Sequence, residues 1–217
     1  MMKKILSILG MCTLCFSYSA QASDFTGLYL GLDGGYRFGD SNYKTVQSTG
    51  YRYSTDSPQR GGVGGLFVGY GYLFNNHFYL GSEFDGNYNP TQGQLWTSRT
   101  DAFYNEMIGS NFGYNFSLLP GYAITKHVLL YTRFGVGQTK YSDASYINGE
   151  QKTQSQAWSV DYLMGAGLRY LLNDHVSLRG EYTCYLSPRF DLYSSSKKTN
   201  SLQPEYNQID VGISYTF

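Results

Sequence analysis

Apolar positions along this chain recur with a period of two. In 28–37, Leu28, Leu30, Leu32 and Tyr36 alternate with Tyr29, Gly31, Asp33, Gly35 and Arg37. Successive side chains of a strand point to opposite faces, so the partition predicts an extended segment with one apolar side. The same pattern returns in 65–74, 78–88, 112–122, 128–137, 160–170 and 176–182. It closes the chain, where Ile209, Val211, Ile213, Tyr215 and Phe217 alternate with Asp210, Gly212, Ser214 and Thr216. Eight strands are expected.

Their connections alternate in length. Tight turns are predicted around His77, His127 and His175, and long polar stretches at 39–61, 89–102, 142–157 and 187–204. Short turns at one end and long loops at the other describe an all-β, eight-stranded, antiparallel up-and-down meander. A terminal strand left as a free apolar edge would invite aggregation, so the last strand is expected to pair with the first.

Alternation alone does not say which face is outside, since a lipocalin-like barrel carries its apolar residues inside. Two features decide for an apolar exterior. The opposite face is dominated by glycine with a few Asp, Glu and Arg, and the lysines beyond the first four residues all fall in predicted loops, turns or strand ends. The apolar face carries the bulk, whereas the narrow interior of eight strands admits only small or tightly packed side chains. The solvent of the apolar face is then lipid, and closure follows, because unpaired backbone groups are costly there. Phe74, Phe78, Tyr122, Tyr170 and Phe217 fall at the short-turn rim, and Tyr36, Phe38, Tyr88, Phe112 and Trp158 near the loop rim, as interfacial girdles should.

Composition agrees. The chain has 23 Tyr, 13 Phe and 26 Gly in 217 residues, a mixture that calls for many strands and few helices. Sixteen basic residues balance sixteen acidic ones, which argues against a nucleic-acid partner. Lys3 and Lys4, an apolar stretch over 5–16 and Ala20-Gln21-Ala22 describe a secretory signal cleaved after Ala22, leaving 23–217 as one barrel domain. Cys12 and Cys15 would leave with it, and Cys184 would remain alone, without a disulfide.

Several stretches resemble a known family. The ending VGISYTF is similar to the C-terminal signature of Gram-negative outer-membrane barrels, and SLLPGYAITKHVLLYTRFGVG and HVSLRGEYTCY resemble strands of small OmpA-like barrels, including OmpX- and opacity-type proteins. The resemblance covers essentially all of 23–217. It implies residence in the cell outer membrane, passage through periplasmic chaperones and the barrel-assembly machinery, and an assembly signal at Tyr215 and Phe217. No peptidoglycan-binding segment is expected after the barrel.

Chemistry is sparse. The three histidines occupy equivalent turns spread around a rim, on the order of 10 Å or more apart, too far for joint coordination at about 2 Å. None of the long loops contains a histidine to serve as a general base, so neither catalysis, a metal nor a cofactor is expected. Charges on the inward parity are more informative: Asp33, Arg37, Glu83, Asp85, Arg133, Asp161, Arg169, Arg179, Glu181 and Asp210. Charges on a lumen wall need partners. They are expected to form a network that fills the lumen, with Arg133 bridging Glu83, Glu181 or both. The loops, rich in Ser and Tyr (Tyr43, Tyr51, Tyr53, Tyr146, Tyr193), suit adaptable surface contacts with a host or envelope partner. The expected protein is a monomeric, non-enzymatic barrel with a structural or adhesin-like role. The alternative is a narrow porin or an OmpW-like conduit for small or hydrophobic molecules.

Overall fold

A computed structural model describes residues 25–47, 52–75, 77–99, 102–147, 150–194 and 198–217. The expected signal, 1–22, lies outside the described residues, as do the side chains of the five loop tyrosines named above. The elements are β1 (Gly27–Gln47), β2 (Arg52–Phe74), β3 (Phe78–Arg99), β4 (Ala102–Ala123), β5 (Val128–Ile147), β6 (Glu150–Leu171), β7 (Val176–Leu186), β8 (Phe190–Ser194) and β9 (Lys198–Thr216). Each strand pairs antiparallel with its neighbour, and β1 pairs with β9 from Tyr29↔Thr216 to Gln47↔Lys198, closing an eight-staved barrel. The ninth element arises because the seventh stave is interrupted at Ser187–Arg189. Below the break β7 pairs with β6 and β9; above it β8 pairs with β9 alone.

The first and last strands meet tightly. The Phe217 amide donates to the Leu28 carbonyl at 2.9 Å. Gly27 lies at φ +137°, and a Cβ there would stand 3.0 Å from the Phe217 carbonyl oxygen, so the junction requires glycine. Each histidine turn performs the same backbone task. The carbonyls of His77, His127 and His175 accept from Ala123, Leu171 and Thr216, at 2.7, 2.9 and 2.7 Å, tying the turn to the end of another strand. Asn75, at φ 49°, supplies the left-handed position in the first of these turns.

The expected partition holds. Leu32, Leu66, Phe78, Val211 and Phe217 are more than half exposed on the outer wall, while the intervening positions are buried. A continuous apolar exterior around a buried polar interior is stable only with hydrocarbon outside. Among the described residues there is no helix.

The expected loops are corrected in extent. Much of 39–61, 89–102, 142–157 and 187–204 continues as strand, with β1 and β2 paired up to Val46↔Arg52 and β3 and β4 up to Arg99↔Ala102. Lys44 and Lys152 therefore stand in strands rather than loops. The missed signal is that these segments, though polar, still extend: Thr, Tyr, Ser and Gln tolerate a pleated, hydrated surface, and hairpin pairing satisfies the backbone.

Two seams of the wall do not continue upward among the described residues. Pairing of β2 with β3 stops at Gly64↔Tyr88, and pairing of β6 with β7 stops at Tyr162↔Leu186. A proline lies just beyond each stop, Pro90 and Pro188, and lacks the N–H a ladder needs. Toward the loop end the barrel thus divides into two four-stranded sheets, β8-β9-β1-β2 and β3-β4-β5-β6. The second seam is bridged by side chains instead: Tyr141 and Leu202 form a small buried cluster with Ala157 and Phe190, and the Tyr141 and Phe190 rings lie 5.5 Å apart.

Candidate functional site in the barrel lumen

All ten inward charges point into the barrel, in two layers. The middle layer gathers seven of them. Arg133 from β5 donates through Nη2 to Glu83 Oε1 and through Nη1 to Asp85 Oδ2 (3.0 Å) and Ser117 Oγ (3.1 Å). Its Nε lies 2.7 Å from Glu181 Oε1. Arg179 from β7 crosses the lumen, donating from Nη1 to both Glu83 oxygens at 2.8 and 3.0 Å and from Nη2 to Asp33 Oδ2. Arg169 lies 3.8 Å from Glu83 and stacks over the Tyr29 ring at 4.3 Å. Glu83 is the hub, 1 % exposed, facing three guanidinium groups and accepting from the Tyr29 hydroxyl at 3.0 Å.

These partners are not sheet neighbours. Along the wall, Arg169 stands opposite Arg179, and Glu181 opposite Asp210, like charges facing like. Such pairs destabilise a sheet by themselves. They are tolerated because the opposite charges arrive across the lumen: Arg133 skips over β4 to reach β3, and Arg179 spans from β7 to β3 and β1.

The other three charges are not joined to this layer by an ion pair among the described residues. Arg37 donates from Nε to Gln208 Oε1 at 2.8 Å and lies over the rings of Tyr206 and Tyr185, at 4.2 and 4.9 Å. Asp161 accepts from Ser187 Oγ (2.5 Å), Thr139 Oγ1 and the Tyr206 hydroxyl (3.3 Å). Asp210 accepts from Gln208 Nε2 at 2.8 Å. Neutral donors and aromatic faces serve these ions because the height of each on its strand puts hydroxyls and rings, not the opposite charge, within reach.

Sequence reasoning missed the aromatic filling. Tyr29, Phe67, Tyr79, Tyr131, Tyr141, Tyr185 and Tyr206 are all buried inside the barrel. Tyr131 donates to Glu181 at 2.7 Å, and the Arg179 guanidinium lies 3.5 Å from the centre of the Phe67 ring. Glycines make the room: a Cβ on Gly31 would strike the Phe67 ring, and one on Gly167 would come within 2.5 Å of Tyr131. The available signal was inward parity, which places a large ring opposite a glycine on an adjacent strand.

Below the charged layer, Phe25, Tyr79, Leu119, Leu129 and Leu171 pack as an apolar floor. A void of about 10 Å³ lies among Asp85, Arg133, Glu181 and Asp210. That is room for one water at most. Among the described residues no group of three metal-ligating side chains is found. The rings of His77 and His175 are engaged locally, each Nδ1 lying 3.0 Å from a backbone carbonyl, of Asn75 and Thr216 respectively. At the closing strand, Tyr215 and Phe217 face outward, ring against ring at 5.1 Å.

Comparison with known proteins places this architecture. The model of the outer membrane protein beta-barrel domain matches residues 8–217. The chain is similar to the 31 kDa outer-membrane immunogenic proteins of Brucella melitensis and Brucella suis, at 25% identity over 208 residues, covering 89% of this chain and 84% of theirs. Among solved structures it is similar to Ail, the attachment invasion locus protein of Yersinia pestis, at 16% identity and a TM-score of 0.41, covering 88% of this chain and 99% of that one. It is also similar to the outer membrane protein OprG from Pseudomonas aeruginosa, at 11% identity and a TM-score of 0.47, covering 90% and 98%. With its closed antiparallel wall and apolar exterior, the chain belongs to the outer membrane protein beta-barrel domain family and resides in the outer membrane.

Proposed function

We propose that this protein is a non-enzymatic, plugged barrel that serves the envelope as a stable wall-spanning body and acts through the strand extensions and loops above the membrane. One observation carries the reading: Arg133, 3 % exposed, contacts Glu83, Asp85 and Glu181 at once and occupies the middle of the lumen. The immunogenic character in the names of the Brucella relatives agrees with surface-exposed loops. Its partners on this reading are outer-membrane lipid, the chaperones and assembly machinery that insert it, and a host or envelope ligand at the loops. The terminal Tyr215 and Phe217 act as the assembly signal.

A second reading has an observation in its favour. The seventh stave is broken at Ser187–Arg189, where a hydrophobic molecule could pass sideways through the wall. Planar-bilayer conductance of the refolded protein separates a plug from a water-filled pore: the plug predicts no resolvable unitary steps. Well-resolved open channels in the unmodified protein would overturn it. Uptake of a hydrophobic dye into proteoliposomes, lost on sealing the seam with a Ser187→Cys/Asp161→Cys disulfide, would favour the lateral conduit.

A further inference from the structure

The outer face of β5 departs from the rest of the apolar wall. Its outward column runs Phe134, Val136, Gln138, Lys140 from mid-wall to the loop-side girdle. At each level the β5 residue stands between its neighbours on β4 and β6. Lys140 is flanked by Phe112 and Trp158, Gln138 by Tyr114 and Val160, and Val136 by Phe116 and Tyr162. At Val136 a short centre lies between two large flanks, Phe116 and Tyr162, and makes a furrow. Two apolar hollows follow it, one of about 300 Å³ beside Tyr114, Val136 and Val160, and one of about 540 Å³ beside Phe116, Val136 and Met164. They share Phe116 and Val136 and so form one groove along the wall.

The top of the groove is built differently. Lys140 has no ion pair or hydrogen bond among the described residues. The Trp158 ring is about half exposed and lies 5.8 Å from the Tyr114 ring, which stacks on Phe84 at 6.2 Å. The Tyr114 hydroxyl is fixed by donating to Gln138 at 2.7 Å. An uncompensated ammonium among interfacial aromatic rings, directly above an apolar furrow, is complementary to one amphiphile: an anionic phosphate head with an acyl chain beneath it.

The geometry points to a lipid seat on the β4-β5-β6 wall, in which Lys140 pairs with the phosphate of an anionic lipid of the loop-side leaflet and the Val136 furrow receives its acyl chain. Arg60 is also exposed at the level of Phe38, but it stands on β2 beside the open seam and outside this furrow, so it serves as an internal control.

Trp158 supplies the readout, because the chain has two tryptophans and Trp96→Phe leaves it alone. The variant is reconstituted in phosphatidylcholine vesicles doped with phosphatidic acid or with phosphatidylcholine, each carrying brominated chains that quench nearby indole. Brominated phosphatidic acid should associate with the Trp158 site about fivefold more strongly than brominated phosphatidylcholine, the factor one lysine near an anionic surface supplies. Lys140→Arg should keep that preference, and Lys140→Glu should abolish it. Arg60→Glu should leave it unchanged, and Val136→Phe should weaken quenching by both lipids. Heat-modifiable gel mobility verifies that each variant is folded, with Lys140→Gln in reserve for Lys140→Glu. Equal quenching by the two lipids would overturn the seat. So would a preference that survives Lys140→Glu, or one lost equally with Arg60→Glu. Unchanged quenching in Val136→Phe would overturn the furrow as the chain's place.

Discussion

The same staves behave in two ways along their length. Toward the short turns each strand is paired with both neighbours, including the β1–β9 closure; toward the loop end two seams part, the β6–β7 seam already at Tyr162, and the wall becomes two sheets. The difference follows from solvent. In hydrocarbon an unpaired N–H or C=O costs several kcal/mol, so the lower wall has only a short gap, in the β4–β5 ladder at Leu119–Pro120. Proline has no N–H to pair there, and the Thr132 hydroxyl donates to the Pro120 carbonyl at 3.3 Å. In water the same groups are hydrated, and a proline or an interruption such as Ser187–Arg189 costs little. The interiors differ correspondingly. The membrane portion is stapled across its lumen by Arg133 and Arg179, whereas the upper portion is held by aromatic packing, as in the Tyr141–Phe190 contact that replaces a ladder between β6 and β8.

The largest effect should come from the closing strand. Phe217→Asp places a charge where the last strand meets lipid and the first strand, and most heat-modifiable protein should vanish from isolated outer membranes. Unchanged levels would mean that closure at this end does not depend on the terminal aromatic. Next comes the lumen. Arg133→Ala leaves Asp85 and Glu181 without their ion pair and Glu83 short of one of three, in a confined interior. It should lower stability by about 3–5 kcal/mol, read as an earlier midpoint in urea unfolding from lipid. A midpoint like that of the parent would show that the charges are not what holds the wall together.

Tyr141→Ala tests the other half of the contrast. It empties a fully buried ring position above the membrane, a loss of about 3 kcal/mol. The penalty should stay local: limited proteolysis should cut the β6 and β8 extensions sooner, while the membrane portion keeps its heat-modifiable mobility. Global unfolding would erase the distinction between the two regions. The smallest perturbation changes no residue. Protease added to intact cells should cut only between strand extensions, leaving the turns at 75–77, 125–127 and 173–175 intact; cuts confined to those turns would invert the barrel in the membrane.

Much of this molecule is legible in its alternation. Leu30, Leu66, Phe84 and Val211 face outward because period two assigns them there, and the glycines opposite them mark the narrow side. The short turns at His77, His127 and His175 and the closing role of 209–217 follow from the same pattern. The strand extensions were less legible, because hydrated strands do not need an apolar face and so leave no hydropathy signal at 39–61 or 142–157.

What sequence determined by itself is which side of each strand is apolar and how many times the chain crosses, since both depend on local periodicity alone. What tertiary structure decided is which inward charges meet. Arg169 opposite Arg179 and Glu181 opposite Asp210 look unfavourable along the wall, and only the curvature of a closed barrel brings Glu83 to Arg179 and leaves Arg37 to Gln208 and two tyrosine rings. Pairing across a lumen depends on stagger, diameter and side-chain reach, and these exist only once the first strand has met the last.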